Sequence, residues 1–239
     1  MDASPPIAPP VEVRLTVLPD VACPYLPGQV ETLRAVMASG IDGETYRAFM
    51  DAGFRRSGKM IYQPVCRVCR ACVPLRVPVA AFEPSASQRR CVRKNADLRV
   101  TVDVPRLSDE AFSLYARYVR DWHHKPEEAD RNALRGFLYD SPTETVEFKY
   151  RDATGRLLAV GICDLSEHSL SSVYFYFDPA EAKRGLGTFG ALFELDYCRR
   201  HAIDYYYLGY WVKDCAAMTY KASFRPNERL GEDGIWRPG

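Results

Sequence analysis

Apolar and polar residues alternate along several segments in the second half of the chain. Leu98, Val100, Val102 and Val104 are separated by single polar residues, the period of two that is typical of a half-buried strand. Further strands, separated by Gly155 and by a polar turn around Glu167, are predicted at residues 146–150, 157–165 and 169–177, and another at residues 203–210. Amphipathic patterns with capping residues predict helices at residues 108–121, 127–139, 187–201 and 214–224. From residue 97 the predicted order is β-α-α-β-β-β-loop-α-β-α, which indicates an α+β mixed sheet flanked by helices.

The first half of the chain carries shorter patterns. Strands are predicted at residues 11–18, 59–63 and 73–79, and helices at residues 44–52 and 85–94. Pro74 and Pro78 favour an edge position for the third strand, because proline cannot donate a hydrogen bond to a neighbouring strand. We therefore predict three parts: a flexible tail over residues 1–10, a smaller, basic α/β domain with a cysteine cluster over residues 11–96, and a larger domain over residues 97–239.

The composition narrows the class of protein. The chain of 239 residues is 47% hydrophobic and 12% aromatic, which is enough to bury a core and too apolar for a disordered chain. No apolar run approaches the roughly 18 residues of a membrane helix, and the first residues lack the basic and apolar regions of a signal peptide. Eight cysteines are too sparse for a disulfide scaffold. We therefore expect a cytoplasmic protein with no membrane partner.

Charge is unevenly distributed, although the formal net charge is only +1. Residues 52–99 hold eleven basic and two acidic side chains, a net of +9, so the remainder carries −8. A basic block in an otherwise acidic protein is typical of a surface that binds a polyanion, such as the phosphates of a nucleic acid. The alternative is a solvated face with scattered counterions. The candidates for phosphate contacts lie on one predicted helix, at Arg89, Arg90, Arg93 and Lys94.

A glycine-containing loop precedes the predicted helix at residues 187–201. Its sequence is Ala182-Lys183-Arg184-Gly185-Leu186-Gly187. Backbone N–H groups of such a loop can hold a phosphate at a helix N terminus, and a plain glycine turn is the alternative. The loop and the order of elements resemble the Gcn5-related N-acetyltransferase superfamily, although Ala182 replaces the Gln or Arg that leads the superfamily's motif. The resemblance implies an acyltransferase-like fold for the larger domain.

Three cysteines are spaced by two residues, at Cys66, Cys69 and Cys72. This spacing in a turn lets thiolates converge on one metal ion, and Cys23 or Cys91 would supply a fourth ligand for Zn²⁺ or an iron–sulfur cluster. Reduced thiols packed under a basic loop are the alternative. The pattern therefore leaves open a metal site or a packing role.

Longer motifs are spread over nearly the whole chain. They are Cys23-Pro-Tyr-Leu-Pro, Phe54-Arg-Arg-Ser-Gly-Lys-Met-Ile-Tyr-Gln-Pro, the cluster that begins at Cys66, Ser87-Gln-Arg-Arg, Ser172-Val-Tyr-Phe-Tyr-Phe-Asp-Pro, Leu186-Gly-Thr-Phe, Tyr207-Leu-Gly-Tyr-Trp and Met218-Thr-Tyr-Lys-Ala-Ser-Phe-Arg-Pro-Asn-Glu. In this order they resemble the aminoacyl-tRNA–protein transferases of the N-end rule. The similarity is greatest to the short bacterial aspartate/glutamate leucyltransferases, which are related to the arginyl-tRNA–protein transferases.

The resemblance implies transfer of an amino acid from the 3′ ester of tRNA to the α-amino group of a protein, which marks that protein for degradation. The implied donor is leucyl-tRNA and the implied acceptors begin with Asp or Glu; an arginyl-tRNA donor is the alternative. The reaction requires no cofactor. Two departures concern Leu26, which replaces the second cysteine of a Cys-x-x-Cys in the arginyl enzymes, and Trp122-His-His, where relatives tend to show an Arg-His pair. The first weakens the case for a metal at Cys23.

The implied reaction makes modest chemical demands, because the ester is activated and the pKa of an α-amino group is about 8. Positioning and oxyanion stabilisation should carry most of the rate. Asp178, at the end of a predicted strand, is the candidate to accept the ammonium proton, although it suits a cap before Pro179 equally well. Tyr174 and Tyr176 share one face of that strand, and are either the lining of the aminoacyl pocket or core residues.

Further basic residues are candidates for binding tRNA or the acidic side chain of the acceptor protein. Arg184 beside the glycine loop and Lys221 in the last predicted helix are candidates for tRNA phosphates, with a solvent-exposed lysine as the alternative for Lys221. The side chain of an acceptor Asp or Glu requires a cation, and three residues fit by type, namely Arg55, Arg56 and Lys59. The same three would also suit tRNA.

Two functions from other classes compete with aminoacyl transfer. One is a nucleic-acid-binding module, formed by the cysteine cluster and joined to an inactive acyltransferase-like domain. Against it stand the aromatic and polar residues at 172–179 and 207–211, near strand ends where sites are built. The other is a coenzyme A acetyltransferase. Ala182 and the basic segment count against it, since a small nucleotide donor needs no broad basic face.

Overall fold

The computed structural model describes residues 12–124 and 129–239. Within these ranges the chain forms a large mixed sheet flanked by helices and a smaller sheet built from N-terminal residues. This architecture confirms the predicted fold class. The tail predicted over residues 1–10, and the starts of the strand predicted from residue 11 and of the helix predicted from residue 127, lie outside the described residues.

Most elements lie within a few residues of their predicted bounds. The strands of the described residues are β1 (Thr16–Val17), β2 (Val21–Ala22), β3 (Val30–Glu31), β4 (Leu33–Met37), β5 (Arg55–Ser57), β6 (Met60–Pro64), β7 (Val73–Pro78), β8 (Arg99–Asp103), β9 (Thr145–Arg151), β10 (Leu157–Ser166), β11 (Ser169–Phe177), β12 (Tyr205–Trp211), β13 (Glu228–Leu230) and β14 (Trp236–Pro238). The α-helices there are α1 (Gly43–Asp51), α2 (Ala86–Lys94), α3 (Asp109–Arg117), α4 (Arg131–Leu134), α5 (Leu186–Arg200) and α6 (Ala216–Thr219). The strand predicted at residues 11–18 is reduced to β1, because only two of its residues pair with β4.

In the described part of the chain the large sheet has eight strands, in the order β14-β13-β7-β12-β11-β10-β9-β8. β7 is therefore an interior strand, and its predicted edge position is wrong. β12 pairs along the whole of β7, whereas β13 pairs only with Leu75 and Arg76, which lie between the two prolines. The prolines thus shorten the pairing on one side of β7 without preventing it. β7 also brings a strand of the N-terminal half into the large sheet.

The smaller sheet has the order β1-β4-β6-β5 and packs against α1. The helix begins at Asp42, whose side chain accepts a hydrogen bond from the backbone N–H of Thr45 at 2.7 Å. Tyr46 and Met50 of α1 are buried in one apolar cluster with Ile61 of β6. The cluster includes Tyr207 of β12, so the core of the small sheet continues onto the large one.

Three predicted helices change their winding at the C-terminal end. α3 continues as a π-helix over Tyr118–Trp122, and α4 continues as a π-helix over Arg135–Tyr139. π-Helical turns are rare in proteins overall, but those that occur often lie at functional sites. The predicted last helix is shorter than expected, because α6 gives way to a 3₁₀ turn at Tyr220–Ser223. No helix of the described residues is both long and apolar enough to cross a membrane.

β11 and β12 run parallel at first and then separate. Their pairing covers Ser169 to Ser171 of β11, opposite Tyr205 to Tyr207 of β12. Val173 forms a bulge that shifts the register of β11 against β10, and bulges bend a strand. The remaining residues, 172–177 of β11 and 208–211 of β12, bound an opening that we call the strand cleft. Backbone groups that no longer pair with each other need other partners, so the strand cleft is a natural place for a binding site.

Candidate active site

Arg55 lies across the strand cleft. Its guanidinium donates through Nη1 to the Ser171 hydroxyl at 2.7 Å and through Nη2 to the carbonyl oxygen of Ser172, both on β11. On the other side, a Cβ at Gly209 of β12 would lie only 3.4 Å from the guanidinium. Arg55 is 9% exposed, and no carboxylate of residues 12–124 and 129–239 is recorded as its partner. A guanidinium stays protonated, so the strand cleft contains a positive charge without a protein counterion in that part of the chain.

The other cations of the hairpin have different surroundings. Arg56 is buried, and its Nε and Nη2 donate to the two carboxylate oxygens of Asp164 on β10, at 2.6 and 2.8 Å. The Tyr46 hydroxyl donates to the same carboxylate at 2.6 Å. This pair fixes the hairpin to the large sheet. Lys59 is exposed in the turn between β5 and β6. Of the three cations predicted for the acceptor, Arg55 is therefore the one that lies in the strand cleft.

Lys221 is buried beside the strand cleft, whereas a surface contact with tRNA phosphates was expected. The residue is 8% exposed, and its Nζ donates to the carbonyl oxygen of Tyr210 on β12 at 3.0 Å. Burial, followed by the charge of Arg55, lowers the pKa of Lys221 to about 7. The amine is therefore partly neutral near physiological pH, and its position does not support the surface role.

Tyr174 and Tyr176 both point to the side of β11 that α3 covers. Tyr176 is fully buried, and its hydroxyl lies 3.0 Å from that of Tyr139. Tyr174 is partly exposed and packs against three rings, those of Tyr115, Tyr118 and Phe137. We call Tyr174 and these three rings the aromatic cluster. Burial raises the pKa of Tyr118 to about 12, so its hydroxyl stays protonated and the cluster presents uncharged aromatic rings.

Asp178 is a capping residue in the structure. Its Oδ1 accepts from the backbone N–H of Ala180 at 3.1 Å, at the start of a 3₁₀ turn over Pro179–Arg184. Its Oδ2 lies 3.4 Å from Arg117 and 3.7 Å from Arg156. A cap and two guanidinium groups already engage the carboxylate. These contacts favour the capping alternative over the predicted transfer of a proton.

Glu194 is a buried acid that the sequence analysis missed. It lies on α5 and is 1% exposed, and it accepts a hydrogen bond from the Tyr206 hydroxyl of β12. Burial raises the pKa of Glu194 to about 7, while hydrogen bonds from Tyr206, Cys163 and Ser172 oppose the rise. The available signal was its position on the apolar face of α5, four residues from both Gly190 and Cys198. Glu194 thus lies close to Ser172, whose carbonyl oxygen binds Arg55.

α2 carries the basic side chains that the sequence assigns to tRNA. All four are exposed, namely Arg89, Arg90, Arg93 and Lys94. The same helix contacts the glycine loop. The Asn95 amide donates to the carbonyl oxygen of Arg184 at 3.0 Å, and the Cys91 thiol donates to that of Gly185 at 3.5 Å. Gly185 has a φ of +69° and begins α5, so α2 and this helix N terminus form one continuous surface.

Arg184 is less available than the cations of α2. Its guanidinium pairs with Asp97 at 2.9 Å and with Glu181 at 3.0 Å. Both hydrogen bonds raise the pKa of Arg184. A tRNA phosphate would have to compete with two carboxylates at this position. The geometry therefore places the free positive charge of this surface on α2.

The four cysteines proposed as metal ligands lie close together. Burial raises the pKa of Cys72 to about 12, and the neighbouring thiols of Cys23, Cys66 and Cys69 raise it further. Cys66, Cys69 and Cys72 line a cavity of about 580 Å³ that reaches Tyr210. Among the described residues, no group of three or more His, Cys, Asp or Glu is arranged to hold a metal ion. The metal site predicted at these cysteines is therefore unconfirmed.

Solved structures share the fold. The C-terminal domain (DUF2156) of a protein from Agrobacterium fabrum superposes with a TM-score of 0.52 at 18% identity, covering 85% of this chain and 65% of that chain. Curated relatives match nearly the full length. An aspartate/glutamate leucyltransferase from Saccharophagus degradans is 37% identical over 91% of this chain and 93% of its own. One from Halorhodospira halophila is 40% identical over 90% of this chain and 92% of its own.

Two family models also match the chain. The model described as "Arginine-tRNA-protein transferase, N terminus" matches residues 21–90, and the model described as "Arginine-tRNA-protein transferase, C terminus" matches residues 110–231. Together they include the hairpin of Arg55, the four cysteines proposed as metal ligands, the strand cleft and Lys221. The resemblance predicted from the sequence motifs is confirmed, and the chain belongs to the arginine-tRNA-protein transferase family.

Proposed function

We propose that this chain transfers leucine from leucyl-tRNA to the α-amino group of proteins whose first residue is Asp or Glu. The names of its relatives support the reaction. The observation that carries the proposal is Arg55, a buried cation without a carboxylate partner among the described residues, at the point where β11 and β12 separate. Charged tRNA and new protein N termini occur in the cytoplasm, so the activity implies a cytoplasmic protein whose products are marked for degradation.

The strand cleft suits the chemistry of the step. An amine attacks an ester that is already activated, so the protein must position two substrates and stabilise the charge that develops. No cofactor is needed for this step. Arg55 would bind the side-chain carboxylate of the acceptor, because a guanidinium matches a carboxylate in charge and geometry. The aromatic cluster, which packs around Tyr174 of β11, would take the apolar side chain of the donor leucine.

The tRNA would approach from the side of α2. Its four exposed cations provide phosphate contacts, and they lie beside the glycine loop that begins α5. A phosphate at the N terminus of this helix would be favoured by the helix dipole and by free N–H groups. This arrangement would direct the 3′ end of the tRNA toward the strand cleft.

A transfer assay tests the proposal. The protein is incubated with leucyl-tRNA or arginyl-tRNA and with peptides that begin with Asp, Glu or Ala, and the product masses are measured. We expect addition of leucine to the Asp and Glu peptides only. Addition of arginine instead would identify an arginyl transferase. Binding of tRNA without any transfer would identify the inactive nucleic-acid-binding alternative.

Substitution of Arg55 tests the role of the strand cleft. Arg55→Met is expected to lower kcat/KM for Asp and Glu peptides on the order of 100-fold, the usual effect of removing one partner of a buried charge pair. Affinity for leucyl-tRNA should stay unchanged. Lys59→Met, in the exposed turn of the same hairpin, is the matched control and should transfer normally. Normal transfer by Arg55→Met would show that another cation reads the acceptor.

A further inference from the structure

Lys221 is buried beside the strand cleft, where it hydrogen-bonds to β12 and its charge interacts with that of Arg55, and the reaction outlined above gives it no task. We infer that the Lys221 amine accepts the proton of the acceptor's α-ammonium group and then, as an ammonium, pairs with the acceptor's side-chain carboxylate. The inference rests on the proposed function, because it concerns the same acceptor. It makes Lys221 a catalytic residue that also contributes to the selection of Asp and Glu.

Lys221 is surrounded by a backbone carbonyl group and by three titratable side chains. Its Nζ donates to the carbonyl oxygen of Tyr210, in the part of β12 that no longer pairs with β11. The titratable groups that face it are Arg55, Cys72 and Cys215, which come from three different segments. None of these groups is a carboxylate, and no carboxylate of the described residues hydrogen-bonds or pairs with Lys221.

Two buried cations without a counterion cannot both stay protonated at low cost. Arginine keeps its proton, so the lysine of the pair loses its own. The pKa of Lys221 is accordingly lowered to about 7, chiefly by burial and then by Arg55. A base with a pKa near the working pH is well suited to remove a proton from an α-ammonium group, whose pKa is about 8. A carboxylate bound beside Arg55 would stabilise the protonated lysine.

The step balances without a further reactant. One proton moves from the acceptor ammonium to Lys221, and the free amine attacks the carbonyl carbon of the aminoacyl ester. The new C–N bond forms, and the bond from the carbonyl carbon to the ribose 3′ oxygen breaks. A second proton of the nitrogen passes to that oxygen, which leaves as a hydroxyl group. After the product departs with its carboxylate, Lys221 loses its proton to water because burial again disfavours its charge.

The pH dependence of the transfer rate tests this assignment. We measure kcat/KM with subsaturating Asp-initiated and Asn-initiated peptides, leucyl-tRNA and the full-length protein between pH 5.5 and about 9. For the wild type with the Asp peptide, the rate should fall below pH about 7, where Lys221 is already protonated and cannot accept a proton. It should fall again above pH about 8, where the neutral amine has no proton to pass to Lys221, so that Lys221 stays uncharged and does not pair with the carboxylate. In Lys221→Arg, which cannot accept a proton, the rate should instead increase with pH until the peptide amine is neutral.

Two comparisons separate this role from a structural one. Lys221→Arg should lower kcat/KM for the Asp peptide at pH 7.5 on the order of 100-fold, because it removes the base and keeps the cation. Lys221→Met removes both, so it should in addition reduce the preference for Asp over Asn. Lys213→Met removes an exposed lysine of the same segment and should change neither quantity. A wild-type rate that follows only the peptide amine, or a Lys221→Arg variant with the wild-type profile, overturns the inference. A wild type without transfer to any peptide overturns the proposed function and the inference with it.

Discussion

Arg55 and Arg56 are neighbours in β5, but their guanidinium groups have different partners. Consecutive side chains of a strand point to opposite faces, so the two residues reach different parts of the large sheet. Arg56 meets the carboxylate of Asp164, whereas Arg55 meets the uncharged oxygens of Ser171 and Ser172. The first charge is neutralised inside the protein. The second is available for a substrate anion, which is why we assign acceptor recognition to Arg55.

Glu194 is predicted to make the free energy of unfolding depend on pH. Burial raises its pKa from 4.5 to about 7 in the folded state, so the folded protein binds an extra proton between these values. The corresponding stability is fully present below pH about 4.5 and is lost as the pH rises through about 7. The loss is on the order of 3 kcal/mol. Between pH 5 and pH 8 in urea unfolding, the change in stability of the wild type should be less favourable than that of Glu194→Gln by about this amount, because the buried Lys221 contributes equally to both proteins.

A carboxylate on the exposed face of the same helix provides the control for this measurement. Asp196 pairs with Arg200 at the surface of α5. Asp196→Asn removes a carboxylate from the exposed face of α5 and leaves Glu194 in place, so it should keep the wild-type dependence on pH. If Glu194→Gln loses as much stability as the wild type between the two pH values, ionisation of Glu194 carries no cost in the folded protein.

At the scale of elements, α2 has two roles. It carries exposed cations, and it holds the glycine loop through hydrogen bonds. Arg89→Glu together with Arg93→Glu is expected to weaken tRNA binding and to lower the slope of log K against log salt by about 2. Both residues are exposed. The measurement is tRNA affinity at four salt concentrations. The control pair, Arg14→Glu with Arg200→Glu, changes the net charge equally outside the basic segment and should keep the slope.

The turn of the β5–β6 hairpin is pressed against the π-helix after α4. Gly58 has a φ of +58°, and a Cβ there would overlap the carbonyl oxygen of Gly136. Gly58→Ala should therefore lower the free energy of unfolding by about 3 kcal/mol or more, through strain and displacement of a backbone segment. Gly155→Ala, with a φ of +88° and no atom within 4 Å, should cost only about 1 kcal/mol. Equal losses in urea unfolding would show that the contact with Gly136 is unimportant.

Helices and strands could be predicted where the sequence pattern that specifies them lies within the segment itself. The alternation along β8, the turn residues on either side of β10, and the caps of α2 and α3 are local signals, and they predicted the bounds closely. The interior position of β7 was not predictable, because the strands that flank it follow it by more than a hundred residues. The burial of Lys221 was also hidden, since a helical pattern does not reveal that the helix ends in a 3₁₀ turn beneath β12.

At the scale of the whole molecule, the basic segment has two uses that a charge count cannot separate. Some of its cations join the two halves of the chain. Arg76 of β7 pairs with Asp51 and Glu228 and stacks on Trp236 at 4.3 Å, and Arg56 pairs with Asp164. Others, on α2, face solvent. The surface available to tRNA is therefore smaller than the net charge of +9 implies, and it is concentrated next to the glycine loop.

The Arg56–Asp164 pair should stabilise the attachment of the small sheet to the large one. Arg56→Met leaves the Asp164 carboxylate buried without its cation, and we expect a loss of about 3–5 kcal/mol in urea unfolding. Asp164→Leu should cost a similar amount for the converse reason. The double variant, Arg56→Met with Asp164→Leu, should lose less than the sum, because no buried charge remains unpaired. Lys59→Met, in the exposed turn, should leave stability unchanged. Additive losses in the double variant would mean that the two halves are held together by the shared apolar core around Tyr207 and Ile61, and not by this ion pair.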